Sequence, residues 1–185
     1  MMEKRIVIIF LILFYTNTIN AQEKLLDILP LEDGRVTYSG VVQVNDVSRS
    51  QLYNNAKRWF IDTYTSGKDV IQLDDKESGE IIGKGYFEEV WMVTAYSGQN
   101  VNVWQTIKVQ MKDGRYRYEI TDFRMKYIVP ASNYTRATEI DLPIEEWNKG
   151  RDKNNAKFYP KIDSHVQDMI SSLEKVMKSS EGDDW

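Results

Sequence analysis

The chain has 185 residues, 24 basic against 28 acidic side chains, a formal net charge of −4 and a hydrophobic share of 42%. That composition excludes a membrane bundle on one side and a disordered chain on the other. The absence of cysteine excludes disulfide staples and thiolate metal sites, so packing alone must hold the fold together.

The first element is an export signal. Glu3-Lys4-Arg5 precedes an apolar run from Ile6 to Tyr15, and a polar stretch leads to the small residue Ala21 before Gln22. A run of that length falls short of the roughly 20 residues that span a bilayer, and its layout is that of a cleaved signal peptide. Residues 1–21 are therefore expected to be a signal peptide, 22–33 a leader, 34–178 a single α+β domain and 179–185 a disordered tail. With no cysteine to carry a lipid at the cleavage site, the product is expected to be soluble, periplasmic or extracellular, with no stable membrane anchor. Removing Glu3, Lys4 and Arg5 takes the net charge from −4 to −5. An acidic chain without a basic stripe is not expected to bind nucleic acid.

Arg35 to Val44 is β-branched and reads as the first strand, closed by the turn Asn45-Asp46. Ser48-Arg49-Ser50-Gln51 fits a capping box, with Val47 and Leu52 placed as a hydrophobic staple. The helix it opens carries Leu52, Ala56, Trp59 and Thr63 on one face, with Tyr53, Phe60 and Tyr64 beside them, and is expected to stop at Ser66-Gly67. Val70 to Leu73 is a short strand, Asp74 to Gly79 a polar turn, and Glu80 to Val93 a longer returning strand with a bulge.

Val101 to Lys112 alternates, with Val101, Val103, Ile107, Val109 and Met111 on one face, and Asp113-Gly114 is a hairpin signal. In the next strand Tyr116, Tyr118 and Ile120 share a parity, whereas Phe123, Met125 and Tyr127 have the other. A bulge at Thr121-Asp122 restores one buried face, and an unbroken ladder through Asp122 would refute it. Within the long connection Pro130 to Lys157, Thr138 to Leu142 is an edge strand and Pro143 to Trp147 a helical turn. From about Phe158 the stripe Phe158, Ile162, Val166, Met169, Leu173 and Val176 marks an amphipathic helix with Pro160 in its first turn. The expected fold class is α+β: a single curved antiparallel sheet of about five to six strands with two helices on one face, in the order β-α-β-β-β-β-α.

Gly34 to Val42, the helix from Ser48 through Leu52-Tyr53 to Trp59, Val70-Ile71-Gln72 and Gly79 to Gly85 resemble a family of exported Bacteroidota proteins, a domain of unknown function with a TATA-binding-protein-like fold. The resemblance covers Gly34 to Ile128. It implies a helix-grip arrangement, in which a curved sheet holds a helix, and it brings no activity and no site residues. A fold name alone does not imply DNA binding.

His165, the single histidine, lies on the flank of the last helix's stripe, where a half-exposed structural role outweighs a catalytic or metal-binding one. Asp74, Asp75, Glu77 and Glu80 surround Gly79, but their spacing misses the calcium loop and reads as a solvated turn. Gly83 and Gly85 share a strand face without a phosphate-loop signature, so they are expected to admit a bend or a closely packed helix. Glu88-Glu89 and Glu145-Glu146 are too ordinary to mark acid–base chemistry, and adjacent strand residues face opposite ways. Asn133-Tyr134-Thr135 is a glycosylation triplet that chance produces often.

The aromatic residues Trp91, Tyr96, Trp104 and Trp147 are the candidate binding residues, since exposed Trp and Tyr anchor interfaces and sugar platforms. Trp104 has the parity opposite to Val103 and Ile107 and is placed on the outer face of the sheet. The competing reading has Trp147 and Tyr134 pinning the long loop over that face as a second small core. No catalytic residues, metal or cofactor are expected. The expected role is a non-catalytic binding module that engages another envelope or secreted protein through the open sheet face or its edge. The alternatives are a carrier of a small apolar ligand between sheet and last helix, and an enzyme of unrecognised chemistry.

Overall fold

The computed structural model describes residues 28–64, 70–92, 97–147 and 152–179, with the backbone alone for 152–156. The expected signal peptide, the helix stop at Ser66-Gly67, Tyr96 and the tail beyond Ser179 lie outside the described residues. In chain order the elements are β1 (Leu31–Glu32), β2 (Arg35–Val36), β3 (Tyr38–Gln43), α1 (Arg49–Thr63), β4 (Ile71–Asp75), β5 (Glu80–Met92), β6 (Gly98–Lys112), β7 (Arg115–Val129), β8 (Thr138–Pro143), a 3-10 turn (Ile144–Glu146) and α2 (Asp152–Met177).

β1 and β2 form a small hairpin, and the main antiparallel sheet runs β3-β7-β6-β5-β4. β8 joins it on β7. β3 pairs with Arg115–Ile120 and β8 with Arg124–Val129, so two strands lie end to end along one side of β7. Asp122 separates them in a left-handed conformation, φ 56°. There the ladder to β6 skips a residue, from Trp104↔Arg124 to Thr106↔Thr121. The bulge read from the parity change is present, and Ile120, Phe123 and Met125 are all buried on one face.

Ser48 caps α1, its hydroxyl accepting the Gln51 amide at 3.2 Å. Leu52, Tyr53, Asn55, Ala56, Trp59 and Phe60 are the buried face. Thr63, expected on that face, is exposed, because the chain turns extended at Tyr64 and the Tyr64 ring takes the place over the sheet. β5 pairs with β6 without interruption from Glu80↔Gln110 to Met92↔Gly98, so the bulge expected in β5 is absent. It falls instead on β4, between Ile71 and Leu73. This shift turns Leu73 outward and Asp74 inward, where Asp74 meets Tyr53 and Lys57 of α1.

α2 begins earlier than expected and carries Pro160 in its interior. Pro160 is exposed, on the solvent side of the helix, while Phe158 and Tyr159 beside it are buried. Ile162, Val166, Met169, Leu173 and Met177 continue the stripe on the sheet, each contributing about 1.5–3 kcal/mol of transfer free energy. Leu29, within the expected leader, is also buried, so the core draws on residues before Gly34. Both helices lie on one face of the sheet, and the arrangement is α+β as expected.

Candidate functional site

Strand alternation places Lys84, Tyr86, Glu88, Val90 and Met92 of β5 on the face opposite the helices, together with Asn102, Trp104, Thr106 and Lys108 of β6. Among the described residues no helix covers this outer face. Tyr86 and Trp104 are direct cross-strand partners, with ring centroids 4.8 Å apart at 34°. From the β7 side, Lys126 Nζ stands 5.2 Å from the Trp104 centroid. Asp141 of β8 then accepts from both Lys126 at 3.0 Å and Arg124 at 2.7 Å. A row of phenol, indole, ammonium and carboxylate thus crosses four strands. Burial opposes ionisation of Asp141, but the hydrogen bonds from Lys126 and Arg124 prevail and hold its carboxyl below the usual range.

Tyr86 is 43% exposed, and Val90, Met92 and Ile128 add exposed apolar surface toward one end of the same face. Two shallow clefts lie by its rim. One, of about 300 Å³, opens where β3 and β8 part and is lined by Arg35, Lys84, Asp122, Arg124 and Glu145. The other, of about 330 Å³, is lined by Val41, Gln110, Lys112, Arg115 and Arg117 near the β6–β7 hairpin. Neither is lined by a residue of α2.

Of the candidate aromatics, Trp91 and Trp147 meet on the inner side of the sheet and Trp104 stands apart from them. Trp104 lies on the outer face, as its parity requires. Trp91 has the parity of Phe87, faces the helices and is buried. Trp147 packs on the inner side too, 4.9 Å from Trp91, 5.2 Å from Tyr127 and 6.1 Å from Phe158 between centroids. Tyr134 is 95% exposed, so it and Trp147 do not pin the loop over the outer face. Tyr96 is outside the described residues. The residue missed by the sequence reading is Tyr86, whose signal was its parity opposite to Phe87 in the same strand.

The remaining candidates have structural occupations. His165 stacks on Phe87, centroids 3.8 Å apart at 15°, and burial pushes its pKa down, with partial opposition from Asp168 and Glu89. Asp75 accepts the amides of Glu77 and Ser78 and closes the β4–β5 turn. Asp74 is held below the usual carboxylate range by Lys57 and Tyr53, and Glu80 pairs with Lys108 at 3.2 Å. Gly83 and Gly85 seat α1: a β-carbon on either would stand 2.4 Å from Phe60 or 2.3 Å from Tyr64. Glu88 and Glu89 do face opposite sides, and Glu145 accepts the buried Val36 amide at 2.7 Å. Among the described residues no group of three or more His, Asp or Glu is placed to hold a metal ion, and no helix is long and apolar enough to cross a membrane.

Comparison with known proteins agrees with this geometry. A crystal structure of a DUF4468 family protein from Bacteroides ovatus superposes with a TM-score of 0.61 at 24% identity, covering 83% of this chain and 92% of that one. A TBP-like protein from Parabacteroides distasonis superposes with a TM-score of 0.65 at 17% identity, covering 83% and 99%. No curated protein matches the chain. The family described as a domain of unknown function (DUF4468) with TBP-like fold matches residues 38–126, from the start of β3 to Lys126 beside Trp104, and over that stretch the chain resembles that family.

Proposed function

We propose that the protein is an exported, non-catalytic binding module that engages another envelope or secreted protein through the open face of its sheet. The observation that carries this reading is the Tyr86–Trp104 pair, presented with Val90, Met92 and Ile128 on a face that no described helix covers. Aromatic side chains with a polar rim are the usual anchors of protein interfaces. The row through Lys126 to Asp141 holds the rings in place, which lowers the ordering cost of binding. Export rests on the charged residues Glu3-Lys4-Arg5, the short apolar run behind them and the small residue Ala21.

A carrier would place its cavity between the sheet and α2. Among the described residues, large side chains such as Trp59, Phe60, Tyr116, Phe123 and Tyr159 fill the layer beneath the helices. An enzyme would converge polar groups in one cleft; the cleft between β3 and β8 does gather charged side chains, but Asp122 is paired with Arg35, Arg124 with Asp141, and Glu145 with the Val36 amide. Crosslinking in intact cells with a tagged exported copy tests the reading. A protein captured by the wild type and lost with Tyr86→Ala plus Trp104→Ala is the expected result. Equal capture by both, or a bound small molecule with no protein, would overturn it.

A further inference from the structure

β5 is paired on both sides only over its first residues. β4 partners Glu80 to Gly83, whereas β6 runs beside β5 as far as Met92. From Gly85 to Met92 that edge of β5 faces no described strand. Backbone groups of an antiparallel strand alternate in direction, so every second residue turns its N–H and C=O to the free side.

Val90 is such a residue, and both its groups are occupied by side chains. Its N–H donates to Glu89 Oε1 at 2.9 Å, and its carbonyl accepts from Lys161 Nζ at 3.3 Å. Lys161 and Glu89 are themselves paired at 2.8 Å. A carboxylate and an ammonium thus stand where the carbonyl and amide of a neighbouring strand would stand. By the same alternation Tyr86 and Glu88 turn their backbone groups to this edge, and both residues are exposed. An edge left unpaired among the described residues is a template for strand addition.

We propose that the β5 edge from Tyr86 to Val90 receives an extended segment of a partner polypeptide as an added antiparallel strand, in line with β4, displacing Glu89 and Lys161 from Val90. The proposal rests on the binding-module reading but assigns recognition to backbone groups of the edge. A second copy of the chain is the poorer occupant. A two-fold axis at Glu88 keeps clear of β4 but sets Glu88 against its own counterpart, a repulsive directly opposed pair. An axis at Tyr86 matches Lys84 with Glu88 but brings Val90 to Ile82, where β4 is already paired. The outer-face side chains define the partner: a β-branched residue opposite Val90, Lys or Arg opposite Glu88, and an aromatic or β-branched residue opposite Tyr86.

The probe is a peptide of sequence Thr-Val-Thr-Lys-Thr-Tyr-Thr, titrated into the whole mature protein by calorimetry. N-methylation of Val, Lys and Tyr, whose amides face β5, is expected to weaken binding at least about tenfold, the scale of lost backbone hydrogen bonds. N-methylation of the Thr residues is expected to leave it unchanged. Lys161→Ala is expected to tighten binding by freeing Val90, and Glu88→Lys to favour the peptide carrying Glu in place of Lys, each variant checked for folding by its thermal melt. The N-methyl comparison uses wild-type protein alone and does not depend on any variant folding. No binding at millimolar peptide, or equal loss with both methylation patterns, overturns the edge. If an outer-face crosslink to a protein at position 104 survives that failure, the module reading stands without the edge; if it fails too, both fall.

Discussion

Gly83 of β5 lies so close beneath Phe60 of α1 that a β-carbon there would stand 2.4 Å from the ring edge. The helix is seated on absent side chains, which is why an apolar face rich in large aromatics can approach a strand this closely. Gly83→Ala is expected to destabilise the protein by about 1–3 kcal/mol, the cost of overpacking a filled core. Phe60→Leu in the same background is expected to recover part of that loss. Urea unfolding of the three chains measures it, and an unchanged midpoint in Gly83→Ala would contradict the seat.

The left-handed residue Asp122 supports a second prediction. At φ 56° a β-branched side chain is strained, so Asp122→Val is expected to cost about 1–2 kcal/mol. Asp122→Gly relieves the backbone and loses the exposed contact to Arg35 at 3.4 Å, worth about 0–1 kcal/mol. Chemical denaturation should therefore rank glycine well above valine at this position. The reverse order would mean that the bulge is not needed.

This bulge was legible in the sequence because Tyr116 to Ile120 and Phe123 to Tyr127 change parity within one strand, and only an extra residue reconciles them. The Ser48 cap was legible for the same reason, and the spacing of Gly83 and Gly85 left two solutions, a bend or a closely packed helix, of which the structure has the second. Trp147 was not, since nothing in a long connection says which side of a sheet it will cross. The start of α2 escaped because Pro160 stops most helices, and its tolerance here depends on facing water. Tyr86 could have been paired with Trp104, but doing so requires the β5–β6 register, which is a tertiary fact.

Glu145 accepts the Val36 amide at 2.7 Å, across a gap in sequence that links the 3-10 turn to the first hairpin. Val36 is fully buried, so Glu145→Ala leaves its N–H unpaired and is expected to cost about 1–3 kcal/mol. Glu145→Gln keeps an acceptor and should cost less. Thermal melts of both variants check the order, and equal melts would show that the contact contributes nothing.

Stability should also depend on pH in two windows. Burial against the fold lowers the pKa of His165, with Asp168 and Glu89 opposing, so the unfolded chain takes up the proton more readily than the folded one. The contribution is complete above the ordinary histidine range near pH 6.5 and is lost as pH falls through it. His165→Phe should remove this window and leave the second. Burial opposes ionisation of Glu89, but Lys161 and the Val90 amide hold its carboxyl low, as Lys57 and Tyr53 do for Asp74. Their stabilisation is present above the ordinary carboxylate range and is lost below about pH 4. Urea midpoints measured from pH 8 to pH 3 separate the two, and a flat profile between pH 8 and pH 5.5 in the wild type would contradict the histidine assignment.

On the proposed function, the outer sheet face is the working surface. Its most direct test places a photo-crosslinking residue at position 104 on that face and, separately, at Lys175, exposed on α2. In intact cells a discrete protein adduct is expected from position 104 and none from position 175. Adducts from position 175 with none from position 104 would contradict it.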